Sequence, residues 1–115
     1  MEKSLIQLIE ALGYRCLAGQ VLTNRMVHWG YVSDLLSDVM GKAQPGMVWI
    51  TSQVHSNIVA VAALKEVAAI IVVNERQVDP DVLAQAEREE VVILSSGMPA
   101  FETAGGLYDQ LKESD

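Results

Sequence analysis

Three short stretches of the chain carry side chains suited to chemistry. In the first, His55 sits among Gln53, Ser56 and Asn57, with Thr51 just ahead of them. An imidazole beside hydroxyls and amides can donate to or accept from a bound ligand, and it suits a pH-sensitive contact. The alternative is ordinary helix capping by Ser56 or Asn57, with His55 solvated. In the second, SDLLSDVMG, Asp34 and Asp38 are four residues apart. Together with His55 or His28 they could hold a divalent cation, and with His55 alone they could form an acid–base pair. No HExxH or related spacing is present, and a helix face with two carboxylates is ordinarily just solvated, so no metal site is expected. The third is Ser95-Ser96-Gly97 ahead of Pro99, whose backbone amides could hold an anion at a helix start or simply make a turn. No nucleophile–base pair stands out, so no catalytic residue is assigned.

These side chains have to be positioned by the elements around them. Val48, Trp49, Ile50 and Thr51 form a β-branched and aromatic run, which predicts a buried strand at 47–51. A polar turn follows at 52–57, then a helix over 57–66. The same rhythm repeats twice: a strand at 69–73 and a helix over 80–89, then a strand at 91–94 and a helix over 99–112. Asp79 is expected to cap the second of these helices, with Pro80 at its first position. The core face of the last helix is expected to be Phe101, Ala104, Tyr108 and Leu111. Gly105-Gly106 inside it implies close approach of a neighbouring element.

Ahead of this repeat, apolar spacing predicts a helix over 4–12 ended by Gly13. Strands are predicted at 14–18 and 26–31, separated by a turn at 22–25. A helix over 33–41 is expected to be capped by Ser33, with Asp34 and Asp38 on one face. Strands alternating with helices predict an α/β fold: βα repeats in a three-layer-like arrangement around a mainly parallel sheet, forming one domain over 1–115. In such sheets ligands sit beyond the carboxyl ends of the strands. The loops at 52–57, 74–79 and 95–98 are therefore expected to line any pocket, which adds Asn74 to the candidates. The Asn74-Glu75-Arg76 run itself reads as a solvated charged loop.

With 8 Lys and Arg against 15 Asp and Glu, the net charge is −7. A surface that acidic disfavours nucleic acid and anionic membranes. Half the residues are hydrophobic, and Cys16 is the one cysteine, so neither an internal disulfide nor a cysteine-based metal site can form. The first residues lack the apolar run of a signal peptide, and no stretch approaches a membrane span. A cytoplasmic location is expected, and no cofactor is.

The stretches GYVSDLLSDVM at 30–40, VWITSQVHSNIVAVA at 48–62 and FETAGGLYDQL at 101–111 resemble the DRTGG domain family, in particular its small stand-alone members. The resemblance covers nearly the whole chain. It implies an α/β domain like the HPr kinase N-domain, often fused to CBS domains in regulated pyrophosphatases or attached to acyl- and phosphotransferases. The family's Asp-Arg pair aligns with Val54-His55, and its Thr-Gly-Gly with Val73-Asn74-Glu75. Losing the arginine removes a bidentate anion clamp, and losing the glycines removes easy backbone approach to a phosphate. Stand-alone members are sometimes described as HPr kinase-related, but no GxxxxGK[ST] loop is present here.

Residues and resemblance together lead to a non-catalytic regulatory or ligand-sensing module. It is expected to be a homodimer that binds a small ligand, which could be anionic, or a partner protein at the strand ends. Met26, Trp29, Tyr31, Ser33, Asp34 and Asp38 are candidates for an interface or polar site, since aromatic residues and Met are enriched at interfaces. One alternative is an accessory subunit of a larger enzyme, with no ligand of its own. A weaker one is an enzyme using His55 with Asp34 or Asp38.

Overall fold

Ser4 begins the first helix with a reciprocal cap: its hydroxyl accepts from the Gln7 N–H, and the Gln7 side chain accepts from the Ser4 N–H. Gly13, at φ 74°, ends the helix in the left-handed conformation that glycine adopts freely. The computed structural model describes residues 2–112. In chain order the elements are β1 (Lys3–Ser4), α1 (Leu5–Leu12), β2 (Arg15–Ala18), β3 (Met26–Val27), β4 (Trp29–Val32), α2 (Leu36–Lys42), β5 (Met47–Thr51), α3 (Asn57–Lys65), β6 (Ala69–Val72), α4 (Pro80–Glu89), β7 (Ile93–Ser95) and α5 (Ala100–Leu111). A single turn of 3₁₀ helix, Gln20–Leu22, links β2 to β3.

The main sheet has the order β2-β7-β6-β5-β4. Its β4, β5, β6 and β7 run parallel, and β2 closes one edge antiparallel to β7. The fold is therefore α/β with a mainly parallel sheet, as expected. Alternation along the strands divides the core in two. Trp49, Ile70, Val72 and Ile93 face one way, with Val39, Ile58 and Val82 from α2, α3 and α4. Val48, Ile50, Ile71 and Leu94 face the other, with Leu5, Leu8, Leu107 and Leu111 from α1 and α5.

Several local expectations are corrected. The strand predicted at 26–31 is two: β3 pairs with β1 in a separate two-stranded sheet, and β4 joins the main one. His28 lies between them, its N–H bonded to the Gly46 carbonyl at 3.2 Å, where the chain passes from one ladder to the other. The helix predicted at 33–41 starts only at Leu36, because Ser33 continues the strand pairing through its N–H to the Ile50 carbonyl. Ser33 does not cap it; its hydroxyl accepts from the Leu35 N–H in a local turn instead. Asp79 and Ser56 occupy the N-cap positions of α4 and α3 without a side-chain capping bond.

The buried face of α5 is Thr103, Leu107 and Leu111; of the expected core residues, Phe101 is 85% and Tyr108 55% exposed. Its glycines behave differently. A β-carbon at Gly106 would come within 3.2 Å of Leu12 Cδ2, whereas Gly105 faces open space, so close approach to α1 explains only the second glycine. No described helix is long and apolar enough to cross a membrane.

Candidate functional site

Because β4, β5, β6 and β7 run parallel, their carboxyl ends share one rim, with Thr51 level with Val72 and Val72 level with Ser95. The loops at 52–57, 74–79 and 95–98 leave from that rim. They are laced to one another by backbone bonds: Ser96 N–H to Val72 O (2.9 Å), Glu75 N–H to Ser96 O (2.8 Å) and Asn74 N–H to Met98 O (2.9 Å). Arg76 ties in the remaining loop by donating from its guanidinium to the Ser52 carbonyl. The amides of Asn74 and Glu75 are thus engaged within the protein.

Asn74 and Glu75 have φ values of 63° and 54°, in the left-handed region. These are the positions where the resemblance expects two glycines. The loop keeps glycine-type backbone geometry without glycine, at a cost to Glu75 in particular, since Asn tolerates that region better.

Asp34 organises the end of β5. Its Oδ1 accepts from the Thr51 hydroxyl and the Ser52 N–H, each at 2.7 Å, and its Oδ2 accepts from the Ser52 hydroxyl at 2.7 Å. Gln53 reaches back with its side-chain amide to the Asp34 carbonyl at 3.1 Å, and its N–H donates to the Thr51 hydroxyl at 3.1 Å. Burial disfavours the Asp34 charge, but the Ser52 and Thr51 donors and the positive charge of Arg76 outweigh it, holding the carboxyl below its ordinary value. The spacing of Thr51-Ser52 after a strand could have hinted at such a latch, but its acceptor lies 17 residues earlier than Thr51.

This lowered carboxyl has a consequence for stability against pH. As pH falls, the unfolded chain takes up the proton first, so the stabilisation is present above the ordinary carboxyl range and is lost as pH drops through the folded value. We expect the melting temperature to fall below about pH 4, and Asp34→Asn to lower it at pH 7 while flattening that acid limb. Melting curves of both proteins from pH 7 to pH 3 check this; parallel curves would remove Asp34 from the account.

The other acidic candidate lies elsewhere. Asp38, on α2, accepts from the Tyr31 hydroxyl at 2.7 Å and meets Lys42 at 3.7 Å. The Tyr31 bond holds the Asp38 carboxyl below its usual value and raises the Tyr31 phenol. Asp34 precedes α2, so the two carboxylates do not share a helix face as predicted. His55 is exposed, and its Nδ1 accepts from the Asn57 N–H at 3.3 Å. It thereby caps the start of α3, the role expected of Ser56 or Asn57. Asp34, Asp38 and His55 each bond elsewhere and not to one another. Among the described residues no group of three His, Cys, Asp or Glu could hold a metal ion.

Ser95 and Ser96 are buried and Gly97 is exposed. The Ser96 hydroxyl lies 2.7 Å from that of Thr103 and accepts from the Met98 N–H at 3.1 Å. It closes the turn into α5, with Pro99 at the N-cap position. Met26 and Trp29 are exposed, and Trp29 meets Tyr108 edge to face at 5.4 Å between ring centroids.

Sequence reasoning passed over Arg15 at this rim and read Arg76 as part of a solvated charged loop. A cleft of about 500 Å³ opens between β2 and the loop after β6, lined by Arg15, Arg76, Val78, Pro80, Leu83 and Ser95, with Glu75 at the same place. Arg15 lies opposite Ser95 across the antiparallel edge. Arg76 also brings a guanidinium to the 52–57 loop, from which the family's arginine is missing. Only pairing of distant segments joins Arg15 and Arg76, so local spacing carried no signal of it.

Residues 7–108 match the family model described as the DRTGG domain. Among solved structures, the chain is similar to the CBS and DRTGG domains of the regulatory region of Clostridium perfringens pyrophosphatase, solved with the activator diadenosine tetraphosphate. The TM-score is 0.68 at 15% identity, over 97% of this chain and 51% of that one, so this chain spans about half its length. The comparison with curated proteins gave no match.

Proposed function

The chain belongs to the DRTGG domain family, and from that premise we propose that it is a homodimeric, non-catalytic regulatory module that senses a small anionic ligand at its strand-end rim. The observation that carries this reading is the cleft holding Arg15 and Arg76. With a net charge of −7, most of the surface repels anions. Two guanidinium groups against the one carboxylate of Glu75 leave this cleft locally positive and suit phosphate or carboxylate groups. Val78, Pro80 and Leu83 add an apolar wall for a base or acyl group. The nucleotide activator held by the Clostridium perfringens regulatory region makes nucleotides the first class to test.

Such a ligand would act on the rim through Arg76, which already bonds the Ser52 carbonyl next to the Asp34 latch. A ligand competing for that guanidinium, or sharing it, alters how firmly the 52–57 loop is held. Of the nine ligand candidates from the sequence, Ser95 is the one that lines the cleft.

Thermal-shift titration with ATP, diadenosine tetraphosphate and inorganic pyrophosphate tests the proposal. Ligand at about 100 times its dissociation constant is expected to raise the melting temperature by roughly 10 °C. Arg15→Gln and Arg76→Lys are expected to remove most of the shift, and His55→Ala to keep it. If no anion raises the melting temperature, the ligand-sensing reading falls. The accessory-subunit reading would then lead, favoured by Phe101, which is 85% exposed on α5.

A further inference from the structure

β4 ends the strand order of the main sheet, so among the described residues one of its sides carries no partner strand. Natural proteins guard such edges with charged side chains or proline. Here residues 26–33, MVHWGYVS, contain no Lys, Arg, Asp, Glu or Pro. On β4 itself Trp29 and Val32 are 39% and 48% exposed, and Met26 before it and Leu35 after it are 49% and 64% exposed. On a chain of net charge −7, this strand brings no carboxylate of its own to the open edge.

The backbone supplies the register. Ser33 donates its N–H inward to the Ile50 carbonyl. Alternation along the strand then turns the N–H and C=O of Gly30 and Val32 to the open side. Gly30 and Val32 stand level with Val48 and Ile50, on the α5 face of the sheet. An apolar groove of about 160 Å³ runs along this face, lined by Trp29, Gly30, Val32, Ile50, Leu107 and Tyr108. A cavity of about 150 Å³ can hold a benzene-sized group. Along that groove Gly30 contributes no side chain, while Val32, two residues on, presents one that is 48% exposed.

We infer that two copies of this chain join β4 to β4, antiparallel, about a two-fold axis at Tyr31. Gly30 of each copy then stands opposite Val32 of the other as a hydrogen-bonded pair, and each Val32 enters the groove beside the other's Gly30. Four backbone hydrogen bonds form, and the two sheets become one. The self-complementary spacing of Gly30 and Val32 selects a second copy as the occupant. The inference rests on the homodimer reading above and names the surface that makes the dimer.

The test is sedimentation equilibrium of the full chain, with amide hydrogen exchange read at residues 30, 32 and 33. The wild type is expected to be a dimer in which the Gly30 and Val32 amides exchange more slowly as concentration rises, while the Ser33 amide is protected at every concentration. Val32→Lys places a charge on an exposed edge position and is expected to weaken the dimer by roughly 100-fold or more. Phe101→Lys, on the exposed side of α5, is expected to leave it intact. A dimer that survives Val32→Lys unchanged, with rapid exchange at Gly30 and Val32, overturns this interface while leaving the homodimer reading in place. A wild type that stays monomeric at millimolar concentration overturns both.

Discussion

Replacing Trp49 with alanine is expected to remove about 3–5 kcal/mol of folding free energy, the largest loss foreseen for any single residue here. Trp49 is fully buried on β5, packed on the face that carries α2, α3 and α4. Truncation would leave a cavity that a rigid parallel sheet cannot easily collapse to fill. Its indole N–H also donates to the Ser33 carbonyl at 2.8 Å. That bond fixes the residue just before Asp34, so the ring supports the latch at the end of β5 as well as the core. Against a typical stability of about 5–15 kcal/mol, the variant is expected to sit near the edge of folding. Trp49→Phe separates the two contributions: it keeps most of the packing and loses the hydrogen bond, at an expected cost of about 1–2 kcal/mol. Urea unfolding of both variants decides it. Equal losses would mean that the hydrogen bond outweighs the packing, and a loss below about 1 kcal/mol for alanine would contradict the burial itself.

The second large effect is expected at Gly19, where alanine should cost about 2–5 kcal/mol. Backbone strain and steric overlap add there. Gly19 has a φ of 78°, which an L-residue adopts only with strain. A β-carbon at that position would also stand 2.9 Å from Val92 Cα and 3.0 Å from the Val91 carbonyl, both backbone atoms that cannot rotate away. Gly13 provides the control, since it has a φ of 74° with nothing within 4 Å of its would-be β-carbon. Gly13→Ala is expected to cost only the conformational part, about 1 kcal/mol. The difference between the two variants in denaturant measures the cost of the overlap. If they lose equal stability, the close approach of Gly19 to the segment before β7 carries no weight.

Both variants concern the frame, and the frame was the part most legible in the amino-acid order. The β-branched run at β5, the apolar spacing of α1 and the Pro80 start of α4 are local signals, because helix and strand periods are properties of neighbouring residues. They were enough to predict an α/β fold and a shared rim for three loops. The family resemblance agreed with them. Errors arose where a residue's partner lies far along the chain. Asp34 read as part of a helix face with Asp38; the structure places it before that helix, bonded to Thr51 and Ser52. Phe101 and Tyr108 read as core because they are apolar, but the rotation of α5 is set by Leu107 closing on Gly30, where a β-carbon would meet Leu107 Cδ2 at 2.9 Å.

What the amino-acid order determined alone was which segments become strands and helices, and that their loops open at one end. Only the tertiary structure decided what stands in those loops. It closed them over one another, engaged the Asn74 and Glu75 amides, and set Arg15 from an early edge strand in the same cleft as Arg76. The physical reason is that secondary structure follows from periodicity over a few residues, whereas a binding surface depends on contacts between segments whose separation in sequence carries no period to read.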